Sequence, residues 1–266
     1  MEISLDTQKP STRFVSTTMG EIAVYTSGPA TGTPLVMLHG VYYNHHLWDS
    51  IVANLTDQPI LRIDMPGHGA SKGGTPKEWT LVDCATMLLE VLDALEIPQA
   101  IGIGHSWGSM TLLRAAHRAP ERFAALGLSN MPFLAGTPRT QWQFRMQHLL
   151  LPFRGFYERQ VAKAMYGTAH RITQPNLTWL LTQSMRKVTA RNIRQTDRAV
   201  IMYATDATAW VETLLVPALA LKGEEDYVPV PPKLATTLVP GGHVSPLEVP
   251  EQVTQWIHKV IALSHR

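Results

Sequence analysis

The sequence predicts an α/β fold, a mostly parallel central sheet flanked by helices and interrupted by one helical insertion. Three observations carry this. Short apolar runs of strand length alternate with amphipathic stretches through residues 34–129. That alternation stops at Met131 and returns at Val216. The insertion also differs in composition: residues 131–210 hold eleven Lys/Arg against three Asp/Glu, and the rest of the chain holds 12 against 18.

Residues 13–17 and 21–27 read as a hairpin around Met19-Gly20. The run PLVMLH, 34–39, is continuous and apolar, the signature of a strand buried on both faces. Trp48, Ile51, Val52 and Leu55 follow at helical spacing, then a strand over 59–64 and a glycine-rich loop, PGHGASKGG. Leu81, Cys84, Leu88, Val91, Leu92 and Leu95 fall on one face of a helix with a period near 3.6. A strand over 100–104 leads into a helix over about 107–119, which Pro120 stops, and then into a strand over 124–129.

The insertion is helical in pattern, with breaks at Pro138, 152–155 and 174–176. Beyond it come VPALAL, 216–221, a short apolar stretch at 237–239, and a helix opened by Pro250. That last helix has Val253, Trp256, Ile257, Val260 and Ile261 on its inner face. The division expected is a core of 1–130 and 211–266 with a helical lid of 131–210.

With 266 residues, 45% hydrophobic and 17% charged, the chain can bury a large core without staples. The single Cys84 cannot form an intramolecular disulfide. The N-terminal stretch lacks the apolar segment of a secretory signal, and no run approaches the ~18 apolar residues of a membrane span. These features predict a soluble protein of a reducing compartment, the cytoplasm, and leave a homodimer open. The basic insertion has no nucleic-acid reader motif and is read as a solvated helical face, so no nucleic-acid partner is expected. His39, His45, His46 and His68 lack metal-ligand spacing, and Gly67-His68-Gly69 opens no dinucleotide fingerprint. No metal and no cofactor are expected.

The chemistry concentrates in four short segments. Gly104-His105-Ser106-Trp107-Gly108 matches G-x-S-x-G between an expected strand and an expected helix. A serine nucleophile there sits on a tight turn that needs small residues two before and two after it. The turn places the Trp107 N–H at a helix N-terminus, where negative charge is stabilised. His39-Gly40 ends the buried strand PLVMLH, so Val41 can supply a second N–H to the same spot. Gly223-Glu224-Glu225-Asp226 and Gly242-His243 each follow a strand. A serine hydroxyl needs a base, and an imidazole needs a carboxylate to set its tautomer. The order Ser106, Asp226, His243, each in a loop after a strand, assigns nucleophile, acid and base. Such loops are where α/β sheets build sites.

These segments resemble the α/β-hydrolase family over nearly the whole chain: LHG (38–40), DMPGHGAS (64–71), GHSWGS (104–109), KGEEDYVPVPP (222–232) and PGGHVSPLEVPEQV (240–253). The resemblance implies the α/β-hydrolase fold, a lid that covers the nucleophile and selects substrate, and structural roles for Asp64, His68 and Ser71. One departure stands out: only sixteen residues separate Asp226 from His243, too few for the usual helix and full strand, which leaves Glu224 or Glu225 as alternative acids. The position after the sixth strand, where some relatives carry the acid, reads Ser129-Asn130-Met131.

Tyr42, Met131, Phe133, Trp142 and Tyr227 are the expected substrate-binding residues, with Phe144 as a further candidate. The activity expected is hydrolysis of a small to medium, fairly apolar carboxylic ester or lactone through an acyl-enzyme. Carbon–carbon or amide cleavage (the latter as in proline iminopeptidases), acyl transfer and a non-catalytic receptor are the alternatives.

Overall fold

The computed structural model describes residues 11–72 and 75–265. Among these described residues, eight strands form one sheet in the order β1-β2-β4-β3-β5-β6-β7-β8. They are β1 (Ser11–Thr17), β2 (Gly20–Ser27), β3 (Leu35–Leu38), β4 (Ile60–Ile63), β5 (Ala100–His105), β6 (Phe123–Ser129), β7 (Ala218–Gly223) and β8 (Ala235–Val239). β1 and β2 form the expected hairpin, and β2 pairs antiparallel with β4; every other pairing is parallel. β3, β4 and β5 are buried at every position, as a sheet covered on both faces demands.

α1 (Asp49–Val52) is a single turn that continues a 3-10 turn, His45–Trp48. The helical spacing at 48–55 is therefore realised in short pieces, although Trp48, Ile51 and Leu55 are all buried. α2 (Leu81–Ala94) starts with a capping box: the Thr80 hydroxyl accepts from Val82 N–H, and the Asp83 carboxylate accepts from Thr80 N–H at 2.7 Å. Its buried stripe includes Leu81, Cys84, Leu88, Val91 and Leu92. α2 packs on α3 (Trp107–Arg118), which lies against β5 and β6.

Between β6 and β7 come α4 (Pro138–His148), α5 (Arg154–Met165), α6 (Thr168–Thr173), α7 (Asn176–Arg186) and α8 (Ala190–Thr196). A π-helical stretch, Asp197–Met202, and α9 (Thr208–Glu212) then return the chain to the sheet. α10 (Ser245–Glu248) and α11 (Pro250–Leu263) close the chain, and α11 packs against β5, β6 and β7 with Val253, Trp256, Ile257, Val260 and Ile261 buried. β7 and β8 are parallel neighbours joined by turns alone. Pro229, Pro231 and Pro232 crowd that connection, and proline lacks the N–H a helix requires, so the helix usual there is absent. Among the described residues no helix is long and apolar enough to cross a membrane.

Candidate active site

Ser106 stands between β5 and α3 with φ +50° and ψ −110°. A positive φ is costly for a non-glycine residue and persists only where the surroundings enforce it. Those surroundings are tight. A Cβ at Gly104 would lie 2.4 Å from the Ser109 nitrogen, and one at Gly108 would lie 2.2 Å from the Leu38 carbonyl oxygen. Both glycines are therefore required for backbone to meet backbone. Ser106 N–H donates to the Ser129 carbonyl at 2.9 Å, which ties the turn to β6.

The serine hydroxyl lies 2.9 Å from His243 Nε2, and His243 Nδ1 lies 2.9 Å from Asp226 Oδ1. All three residues are buried. Glu224 and Glu225 are exposed, and the Glu225 carboxylate instead accepts from Thr168 N–H. Asp226, at the turn after β7, is the carboxylate that meets the imidazole. Its other oxygen accepts from Asn130 Nδ2 at 2.8 Å, and Oδ1 also accepts from Val228 N–H at 3.1 Å. Burial pushes the Asp226 pKa up. The His243 charge and the hydrogen bonds from His243, Asn130 and Val228 outweigh it and hold the carboxyl below its ordinary value.

The histidine loop has its own support. His243 N–H donates to the Met165 carbonyl, at the end of α5, at 2.7 Å. Glu248, fully buried at the end of α10, accepts from the N–H groups of Gly242, Val244 and Gly167 and from His170 Nδ1. The Tyr227 ring stacks on the His243 ring at 4.7 Å between centroids.

Gly40 packs against Ser106: a Cβ there would lie 3.2 Å from the Ser106 Cβ and 2.8 Å from the His105 ring. Val41 follows, and the N–H of Tyr42 (φ +71°) donates to His68 Nε2 at 3.3 Å. His39 accepts from Met65 N–H and His68 bonds the Pro66 carbonyl, and burial lowers their pKa values to about 3 and about 4. Both imidazoles are thus neutral parts of the loop framework. Asp64 accepts from the N–H groups of His45 and Ala70, and the Ser71 hydroxyl donates to the Asp64 carbonyl at 2.6 Å. The 64–71 loop is bound up in itself, and its His68 ring meets that of Trp107, next to Ser106, edge-on at 5.3 Å between centroids.

Two adjoining cavities open over the serine. One of about 150 Å³ is lined by Ser106, Val41, Met110, Pro132, Leu134, Val200 and Tyr227, among others. The other, about 370 Å³, is lined by Tyr42, Phe144, Gln147, Tyr157, Val161 and Met165, and shares Val41, Thr140, Ile201 and Tyr227 with the first. Among the described residues no charged side chain lines either one. A cavity of about 490 Å³ elsewhere, bounded by residues such as Ser11, Gly28, Pro59 and Glu96, has none of these chemical groups.

Of the expected substrate-binding residues, the cavities bring in Tyr42 and Tyr227 and the further candidate Phe144. Met131 and Phe133 are buried without lining either cavity, and pack in the core. Trp142 corrects the expectation: it is 63% exposed, on the outer face of α4. The face of α4 turned to the cleft is the one that carries Thr140, Gln143, Phe144 and Gln147. Asn130, Glu248 and Asp197 were not singled out as site residues from the sequence. Asp197 is fully buried, accepts from Tyr42 Oη at 2.6 Å and lies 2.8 Å from His148 Nε2.

This strand–serine–helix turn, with an acid after β7 and a histidine after β8, has a counterpart among known proteins. Residues 33–235 match the family model of the alpha/beta hydrolase fold. The chain belongs to that family. It is 26% identical over 230 residues to the pimeloyl-[acyl-carrier protein] methyl ester esterase of Nitrosospira multiformis, covering 80% of this chain and 84% of that one. It is 35% identical over 97 residues to a putative non-heme haloperoxidase of Mycobacterium phage D29, a match that spans about a third of either chain (36% and 34%). A thermophilic esterase from Thermogutta terrifontis has the same fold, with a TM-score of 0.84 over 96% of this chain and all of that one at 20% identity. Relatives of this α/β hydrolase thus include esterases.

Proposed function

We propose that this α/β hydrolase cleaves a small to medium, neutral carboxylic ester or lactone through an acyl-enzyme at Ser106. The observation that carries the reading is the buried relay from Ser106 through His243 to Asp226, held at two contacts of 2.9 Å with the serine at positive φ.

In the mechanism, His243 Nε2 takes the proton of the Ser106 hydroxyl as its oxygen attacks the ester carbonyl. Asp226 holds Nδ1–H and stabilises the imidazolium. The N–H groups of Val41 and Trp107 receive the developing oxyanion, each worth roughly a hundred- to a thousandfold in rate. His243 then protonates the departing alkoxide. Water, deprotonated by the same nitrogen, attacks the acyl-serine and releases the acid. The helices of 131–210 act as a cap, contributing Phe144, Tyr157, Val200 and Ile201 to the cleft.

A neutral substrate follows from the uncharged lining. The same feature weighs against a peptidase that anchors a substrate amine. The cap's three carboxylates are Glu158, buried and bonded to Arg154; Asp197, buried and bonded to Tyr42; and Asp206, which accepts from Thr208 N–H. A single cysteine, Cys84, leaves no disulfide to form within the chain, which is in keeping with a reducing compartment such as the cytoplasm.

The test is hydrolysis of p-nitrophenyl acetate, butyrate and octanoate by the wild type and by Ser106→Ala. The substitution lowers kcat by roughly a millionfold on this reading. A well-folded wild type that turns over none of the three contradicts it.

A further inference from the structure

Nine of the large apolar side chains that the described residues expose belong to residues 131–210, less than a third of the chain. Five of them fall within residues 142–156. On α4, Trp142 and Met146 are one turn apart, and Leu149 continues the same line just past the helix end. Arg139 and Arg145 stand three residues to either side of Trp142, so they border this apolar line on its two flanks. Just beyond it in the chain, Phe153 and Phe156 at the start of α5 are exposed as well, and Arg159 and Lys163 follow Phe156 at helical spacing. Trp142, Leu149 and Phe153 are each more than 60% exposed, far above what a packed side chain shows.

The charge on this face is one-sided. Arg139, Arg145, Arg159 and Lys163 are exposed. The only carboxylate on α4 or α5 is Glu158, buried and bonded to Arg154 Nε at 3.0 Å. The basic character noted in the sequence thus reaches the surface undiminished. A second copy of the chain would bring like charges together on this face. An apolar, aromatic stripe edged by cations is complementary to a surface that is anionic outside and apolar just beneath.

We propose that the outer face of α4 and α5 docks on an anionic lipid surface, with Trp142, Leu149, Phe153 and Phe156 entering the headgroup layer and the four cations pairing with lipid phosphates. The opposite face of α4 lines the larger cavity, so docking sets the mouth of the cleft beside the lipid. This inference is independent of the reaction at Ser106, because binding is read without turnover.

The experiment is co-sedimentation of the full chain with vesicles of phosphatidylcholine, alone or with about 30 mol% phosphatidylglycerol, at about 0.1 M and 0.5 M salt. The proposal expects partitioning about tenfold stronger on the anionic vesicles, most of it lost at the higher salt. It also expects a fall of about tenfold in Arg139→Glu/Arg159→Glu and in Trp142→Ser/Phe153→Ser. All four positions are exposed, so these variants keep the fold, which circular dichroism verifies, and the wild-type salt dependence stands without them. Equal and weak sedimentation on both vesicle types overturns the proposal. So does unchanged binding in the variants, or a wild type that self-associates through this face and leaves the vesicles bare.

Discussion

Asn130 Nδ2 donates to Asp226 Oδ2 at 2.8 Å, and the same amide reaches the Gly242 carbonyl at 3.3 Å. One buried side chain at the end of β6, itself at φ +49°, therefore ties the loop of the acid to the loop of the histidine. Its hydrogen bond favours the ionised carboxylate, since a carboxylate accepts from an N–H and a protonated acid does so less well.

Asn130→Ala is expected to lower kcat by about tenfold, the scale of one lost hydrogen bond to a charged group. The Asp226 pKa rises in the variant, so the loss of activity that follows protonation of this carboxyl, at the far acid end of the pH–rate limb, begins at a higher pH. A structural defect alone would lower activity without moving that limb. Asn130→Asp is expected to be worse, because two carboxylates in contact resist joint ionisation.

Asp64 predicts an acid-dependent stability. Burial would raise its pKa, but hydrogen bonds from His45 and Ala70, together with nearby imidazoles, depress it to about 2. A carboxyl depressed in the folded state adds stability above its unfolded pKa, near 4, and loses it as pH falls towards about 2. Asp64→Asn should therefore cost at least about 2 kcal/mol at pH 7 and progressively less below pH 4, measured by urea unfolding across that range.

At Gly108 the cost is steric. An added Cβ meets the Leu38 carbonyl oxygen at 2.2 Å and the Leu38 Cβ at 2.6 Å, which forces α3 away from β3. Gly108→Ala is expected to lose about 3 kcal/mol, roughly 10 °C in Tm, and to displace Ser106 from His243. Thermal unfolding monitored by circular dichroism checks it.

Asp197 joins the helical segment between β6 and β7 to the loop beside Ser106 through Tyr42, and it opens the π-helical stretch that brings Val200 and Ile201 to the cleft. Asp197→Ala leaves the hydroxyl of Tyr42 only Tyr157, at 3.4 Å, and strands the ring of His148. The expected loss is about 3 kcal/mol, with KM raised more than kcat is lowered on the longer esters. Steady-state kinetics on butyrate and octanoate esters reads that difference.

The central strands and the order of Ser106, Asp226 and His243 were legible because each rests on local pattern: a continuous apolar run, then a short polar turn. What sequence could not supply was the partner across space. Asn130 looked like an unoccupied acid position, and only the approach of β6 to the turn after β7 makes it a donor to Asp226. Glu248 was an ordinary acid two residues before Pro250 until the fold brought Gly167, Gly242 and Val244 around it. Trp142 went astray for a related reason. An aromatic residue on an expected lid helix can face inward or outward, and α4 has an apolar residue on both sides, Phe144 towards the cleft and Trp142 away from it. The missing helix between Asp226 and His243, by contrast, was readable from the sixteen-residue spacing.

The most direct test of the account is intact-protein mass spectrometry during turnover of p-nitrophenyl butyrate, quenched with acid within the first turnovers. The account predicts a butyryl adduct of one per chain, mapped by peptide digestion to the segment that contains Ser106 and absent from Ser106→Ala. Turnover that proceeds with no adduct, or that survives undiminished in Ser106→Ala, contradicts it.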